Sequence, residues 1–179
     1  MKYAKIERLK TKRLTLRKFN EADTESAYKN WCSDVDVVRF LTWRAHKSVS
    51  QTQKIIDDWM REYQTGKFYH WAIVLNEINQ PIGTITLKDV SETNESCIVG
   101  YCIGKAWWGK GLVAEALTAV IDFAFNKLEL KRVIGRHDVD NPNSGRVLEK
   151  CGFAYVNTVS GAEGNNENPA STLKIYVKE

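Results

Sequence analysis

The chain has 179 residues, 43% hydrophobic and 27% charged, with 26 Lys and Arg against 22 Asp and Glu. At roughly 150 residues per domain this is a single domain, 1–179, long enough to bury its own core, and the composition excludes a disordered chain, a collagen-like fibre and a disulfide scaffold. No apolar run reaches the roughly 18 residues of a membrane-spanning helix, Met1-Lys2-Tyr3-Ala4-Lys5 does not open a secretory signal, and the net charge of +4 is interspersed rather than gathered into a nucleic-acid-binding stripe.

In chain order, residues 12–18 alternate with Leu14 and Leu16 on one face, the pattern of a strand. Asn20 followed by Asp23 opens a helix that runs through Ala27 to Trp31. Ser48-Val49-Ser50-Gln51 is a capping box, in which the serine hydroxyl accepts from the third amide and Gln51 reaches back. Behind it Ile55, Ile56, Trp59, Met60 and Tyr63 fall at helical spacing. Tyr69 to Leu75 and Ile82 to Leu87 are rich in β-branched and aromatic residues and predict a hairpin about a turn ending at Pro81. Residues 97–103 read as a further strand. Leu112, Val113, Ala116, Leu117, Val120, Ile121, Ala124, Phe125 and Leu128 form one apolar stripe, the strongest helix signal in the chain. A strand from Arg132 to His137 follows, then a short helix over 143–151 that stops at Gly152, a left-handed cap. Phe153 to Thr158 predicts a strand, 160–170 a loop, and Thr172 to Val177 a closing strand. Strands and helices mixed in this way indicate an α/β domain.

Cys32, Cys97, Cys102 and Cys151 form no Cys-x-x-Cys pair, and no histidine stands at metal-ligand spacing from them. They read as reduced, buried thiols of a cytoplasmic protein that holds no metal. His46, His70 and His137 are scattered and read as structural.

The turn before the long helix carries chemistry. In Gly104-Lys105-Ala106-Trp107-Trp108-Gly109-Lys110-Gly111-Leu112 two closely spaced glycines lie between a strand and a helix. The first four helix amides have no intrahelical partner, and the helix dipole adds positive potential, so such a turn suits a pyrophosphate. A turn needing glycine for its geometry alone would look the same. No Ser or Thr follows Gly111, which departs from the P-loop. A dinucleotide fingerprint would open the first strand–helix unit of a parallel sheet, and here several strands precede it.

About thirty residues later comes Asn141-Pro142-Asn143-Ser144-Gly145-Arg146-Val147-Leu148-Glu149-Lys150-Cys151-Gly152-Phe153. Together, W-G-K-G-L-V-A-E-A and N-P-N-S-G-R-V-L-E-K-C-G-F resemble the GNAT superfamily of acyl-CoA N-acyltransferases. Within it they resemble the RimJ/RimL-type branch of ribosomal-protein N-acetyltransferases. The opening T-K-R-L-T-L-R-K-F is similar to that branch's first strand, and I-V-G-Y-C-I to its central one. The resemblance implies a GNAT fold: a twisted, mixed, mostly antiparallel sheet of about six to seven strands flanked by about four helices, with acyl-CoA in a cleft at the central strand.

It also implies roles. Trp108, Gly109, Lys110, Gly111, Leu112, Val113 and Ala114 would bind the CoA pyrophosphate. Tyr101, Cys102 and Ile103 would pair with the pantetheine arm, and Asn141 would hold it. Ser144 would stand at the thioester sulfur as the catalytic residue, giving the departing thiolate a hydrogen bond. Leu148 stands where relatives place an acidic Tyr, and Ile98 where many place a basic Glu. The base therefore stays open among Glu95, Asp89, His70 and a relaying water. A covalent acetyl-cysteine at Cys97 or Cys102 would need an activating neighbour that neither has in sequence.

The implied activity is acetyl-CoA-dependent transfer of an acetyl group to a primary amine, either a protein N-terminus or a small molecule. A non-catalytic acyl-CoA-binding regulatory module is the alternative. Glu21, Asp23, Glu25, Asp57 and Asp58 would favour a cationic acceptor if they line its groove, and otherwise form a solvated face. The expected partners are acetyl-CoA and the amine, with a homodimer as a further option and no membrane or nucleic acid.

Overall fold

The computed structural model describes residues 4–163 and 170–179. Strands β1 (Leu9–Lys10) and β2 (Leu14–Arg17) form the first antiparallel pair. The predicted helix after Asn20 is a run of three turns of different pitch: a tight 3₁₀ turn at Glu21–Asp23, α1 (Thr24–Ala27), and a wide π turn at Tyr28–Cys32. The capping box at its start is complete. Asn20 Oδ1 accepts from the Ala22 amide at 3.0 Å, and Asp23 accepts from the Asn20 amide at 2.9 Å. A short helix α2 (Val35–Val38), which has too few residues for a periodic signal, precedes α3 (Val49–Glu62). Ser48 caps α3 as expected, but Gln51 accepts from the Lys47 amide at 2.9 Å.

The hairpin joins β3 (Tyr69–Leu75) to β4 (Gln80–Ser91). Its turn ends at Asn79, which adopts φ 52°. Pro81 lies inside β4 opposite Val74, beside a register shift that leaves Ile82 without a partner on β3. A bulge is one of the few places where a strand tolerates proline.

Then follow β5 (Ser96–Ile103), α4 (Leu112–Asn126), β6 (Arg132–Asp138), α5 (Pro142–Lys150), β7 (Ala154–Glu163) and β8 (Ala170–Lys178). The described residues thus form eight strands and five helices, more than the six to seven and four that the resemblance implied. The additions are β1 and α2. The loop expected over 160–170 is also corrected: Ser160 to Glu163 extend β7 and Ala170 begins β8. Positions 164–169 of that expectation lie outside the described residues.

All eight strands share one sheet, ordered β1-β2-β3-β4-β5-β6-β8-β7, in which only β5 and β6 run parallel. Side chains alternate across it. Tyr69, Trp71 and Ile73 face α4 and its apolar stripe, while Ala72 and Val74 face Trp31 and Ile56 on the other side. Trp31 and Trp71 are fully buried, each contributing roughly 1.5–3 kcal/mol or more by area. No helix among the described residues is long and apolar enough to cross a membrane.

Candidate active site

The two parallel strands do not stay together. β5 pairs with β6 from Ser96 to Val99, opposite Arg132 to Gly135, and no further. Beyond that point β5 continues on β4 and β6 continues on β8. A wedge opens at Gly100, and the residues that follow each strand, the glycine turn and α5, stand at its mouth.

Tyr101 points into the wedge and spans it. Its phenol donates to the Ser144 carbonyl at 3.0 Å and lies 3.0 Å from Ser144 Oγ. Burial pushes the phenol far above its ordinary pKa, so it stays protonated at neutral pH. Ser144 is half-buried in the first turn of α5. Asn141 is the residue before that helix, yet its side chain makes no capping bond. The half-buried amide of Asn141 therefore remains available to a ligand.

Gly109 and Gly111 both adopt φ 72°, a left-handed conformation that glycine enters without cost. Nothing lies within 4 Å of where a Gly109 Cβ would stand. The first helical bond of α4 runs from the Glu115 amide to the Gly111 carbonyl at 3.1 Å, so the Leu112, Val113 and Ala114 amides have no intrahelical partner. Two cations stand here that motif reading missed. Lys150 Nζ and Arg13 Nη2 lie 3.6 and 3.9 Å from the position of a Gly111 Cβ. Arg13 is held by Glu115 at 2.7 Å and by the Lys110 carbonyl at 3.0 Å. Glu115 is partly buried, which opposes its ionisation. Hydrogen bonds from Thr11 and from the Arg13 amide and guanidinium outweigh that and hold the carboxyl below its ordinary range. Two cations, three open amides and a helix dipole, against the one Glu115 carboxylate that pairs with Arg13, give this end of α4 a positive field suited to an anion.

The remaining predicted residues are distributed around this frame and on both faces of the sheet. Trp108 is 44% exposed, and its indole nitrogen donates to the Ile103 carbonyl at 2.8 Å, which ties the turn to the end of β5. Ile103 itself is buried in the core. Cys102 lies on the opposite face from Tyr101, packed against the cluster around Trp31. Burial pushes the Cys97 and Cys102 thiols up to about 12, which removes the thiolate that a covalent route would need. Leu148 is core: its δ-methyls fill the space where a Gly135 Cβ would stand. Glu95 pairs with Lys131 at 2.5 Å in the turn before β5. Ile98 faces Lys88 across the β4–β5 register, so no carboxylate occupies that position.

A family model for the acetyltransferase (GNAT) domain matches residues 13–154. An uncharacterised N-acetyltransferase, p20 of Bacillus licheniformis, is 31% identical over 151 residues, 83% of each chain. The ribosomal-protein-serine acetyltransferase of Escherichia coli is 26% identical over 121 residues, 68% of this chain and 66% of its own. The solved RimL ribosomal L7/L12 α-N-protein acetyltransferase, in complex with coenzyme A, shares the fold at a TM-score of 0.84. That match has 19% identity and covers 96% of this chain and 97% of the other. The chain belongs to the GNAT acetyltransferase family. It is an N-acetyltransferase that uses acetyl-CoA as its acyl donor.

Proposed function

We propose that a primary amine attacks the acetyl thioester directly within the wedge, giving an amide and free CoA, with Ser144 as the residue at the departing sulfur. The observation that carries this reading is the Tyr101–Ser144 bridge at the point where β5 and β6 part. A thioester laid along the open edge of β5 would bring its sulfur to this hydroxyl pair. Tyr101 keeps its proton, and when its single O–H turns from the Ser144 carbonyl to Ser144 Oγ the serine hydroxyl is left to hydrogen-bond the thiolate. In this reading the amides of Leu112, Val113 and Ala114, with Arg13 and Lys150, hold the pyrophosphate. Gly109 and Gly111 let the backbone approach it. Asn141 holds the pantetheine, the outer edge of residues 101–103 pairs with it, and amides of β5 face the oxyanion.

With no carboxylate at Ile98, the amine enters neutral and releases its proton to water. The acceptor is a protein N-terminus or a small-molecule amine; relatives named as ribosomal-protein acetyltransferases support the first. One sheet through every described strand supports a single domain. Four free thiols support a reducing, cytoplasmic setting.

Ser144→Ala tests the assignment. A hydrogen bond to a charged group is worth about 1.5–3 kcal/mol, so turnover should fall roughly 10- to 100-fold. Acetyl-CoA affinity should change little. Turnover within about twofold of wild type would reject Ser144 and leave solvent as the proton source.

A further inference from the structure

On the other face of the sheet from α4, a cavity of about 570 Å³ opens over the start of β3 and the end of β4. That size suits a small molecule. Its walls are rings: Trp43, Trp59, Phe68 and His70. The Trp59 and His70 ring centres are 4.3 Å apart, and Phe68 and His70 5.3 Å. His70 is fixed as a neutral ring. Burial, helped by the Lys88 charge, pushes its pKa down to about 3. Its Nε2 meets the Thr84 hydroxyl, which itself donates to the Trp71 carbonyl at 3.1 Å, so the imidazole N–H points at Thr84.

The charged residues of the lining are Lys67, Lys88 and Asp89. Lys88 connects this cavity to the wedge. It stands opposite Ile98, and its Cε lies 3.9 Å from the position of a Gly100 Cβ, at the residue where β5 leaves β6. A break in register between Lys88 and Ser91, with Asp89 at φ 50°, turns the strand at this spot. None of the five acidic side chains that would have favoured a cationic acceptor lines this cavity, and three of them are engaged elsewhere. Asp23 is held by both Arg17 nitrogens at 2.7 Å, Asp57 accepts from Gln53 at 2.7 Å, and Asp58 pairs with Arg61.

We infer that the cavity is the acceptor site and that the acceptor is a small-molecule amine with an aromatic body and an anionic group, the ring packed among Trp43, Trp59 and Phe68 and the anion read by Lys88. Flat rings without a second carboxylate select a planar apolar body. A lysine at the reacting end disfavours polycations and lowers the pKa of an incoming amine, which supplies the neutral nucleophile without a carboxylate base. This inference rests on the acetyltransferase reading above.

The test measures binding by calorimetry in saturating CoA, with indole-3-acetate, tryptamine, spermine and the tripeptide amide Ala-Gly-Gly-NH₂ as probes. Indole-3-acetate should bind at least about tenfold more tightly than each of the others, the value of one charge-assisted bond. Lys88→Gln should erase its advantage over tryptamine, and Trp59→Leu should weaken both indoles, with CoA affinity unchanged in each variant. Tighter binding of spermine, tryptamine or the tripeptide amide would overturn the inference. So would an indole-3-acetate preference that survives Lys88→Gln, or no binding of either indole to the CoA complex. Failure of CoA itself to bind would instead overturn the acetyltransferase site.

Discussion

Asn141 separates two physical roles that one residue can play at a helix start. Asparagine is a strong N-cap, and a lost cap costs about 1 kcal/mol of stability. Here its side chain makes no capping bond, so Asn141→Ala should melt near wild type while the KM for acetyl-CoA rises more than kcat falls. A lowered melting temperature with normal kinetics would return the residue to a capping role. Tyr101 was expected to contribute through its strand edge, and its side chain also reaches the first turn of α5. A phenol reaching Ser144 from β5 bridges 43 positions of sequence, which no local pattern encodes. Tyr101→Phe keeps the ring in the wedge and removes the bridge. Turnover should drop about tenfold, the value of roughly one neutral hydrogen bond, with acetyl-CoA affinity within about twofold.

At the scale of elements, α4 and its glycine turn were legible because three signals coincide: paired glycines, an apolar stripe and a preceding strand. The same holds for α5, where the amide of Gly152 bonds to Glu149 and that of Phe153 to Leu148, closing the helix as the glycine predicted. What escaped was contributed from afar. Arg13 comes from the turn between β1 and β2 and Lys150 from the end of α5, and their approach to Gly111 is a tertiary fact. The first helix was read from its start at Asn20 and Asp23, but a start signal does not report pitch, and the segment changes pitch twice.

Gly111→Asp places a negative side chain beside the open amides, and it should raise the acetyl-CoA KM strongly in a folded protein. An unchanged KM would remove the turn from the site. Glu115 anchors Arg13 to this turn and makes a pH prediction. Its folded pKa lies below the ordinary value of 4.5, so its stabilising contribution is present above that value and is lost as pH falls through the folded one. Wild type should therefore melt above Glu115→Gln at pH 7, and the two curves should converge in acid. A gap independent of pH would show that the carboxylate charge is not what holds Arg13.

Across the whole molecule the order of the sheet makes the site. Antiparallel pairing on both flanks holds β5 and β6 by their outer neighbours, so the single parallel junction can open without loosening the core. One face then offers the cations and open amides at the start of α4 and the Tyr101–Ser144 hydroxyl pair, and the other the ring-lined cavity. The sheet order could be expected only through family resemblance, because strand patterns name faces and not neighbours. Because the donor binds the native chain alone, acetyl-CoA should raise the melting temperature by mass action, and ATP should raise it much less.

The most direct test of the central claim is the release of free CoA thiol from acetyl-CoA by the purified chain, followed with and without an aromatic amine carrying a carboxylate. The account predicts release that depends on the amine, matches the amide formed mole for mole, and falls roughly 10- to 100-fold in Ser144→Ala. Tight binding of acetyl-CoA with no amine-dependent release, across that amine, a peptide N-terminus and a polyamine, would contradict it and mark the chain as a binding module.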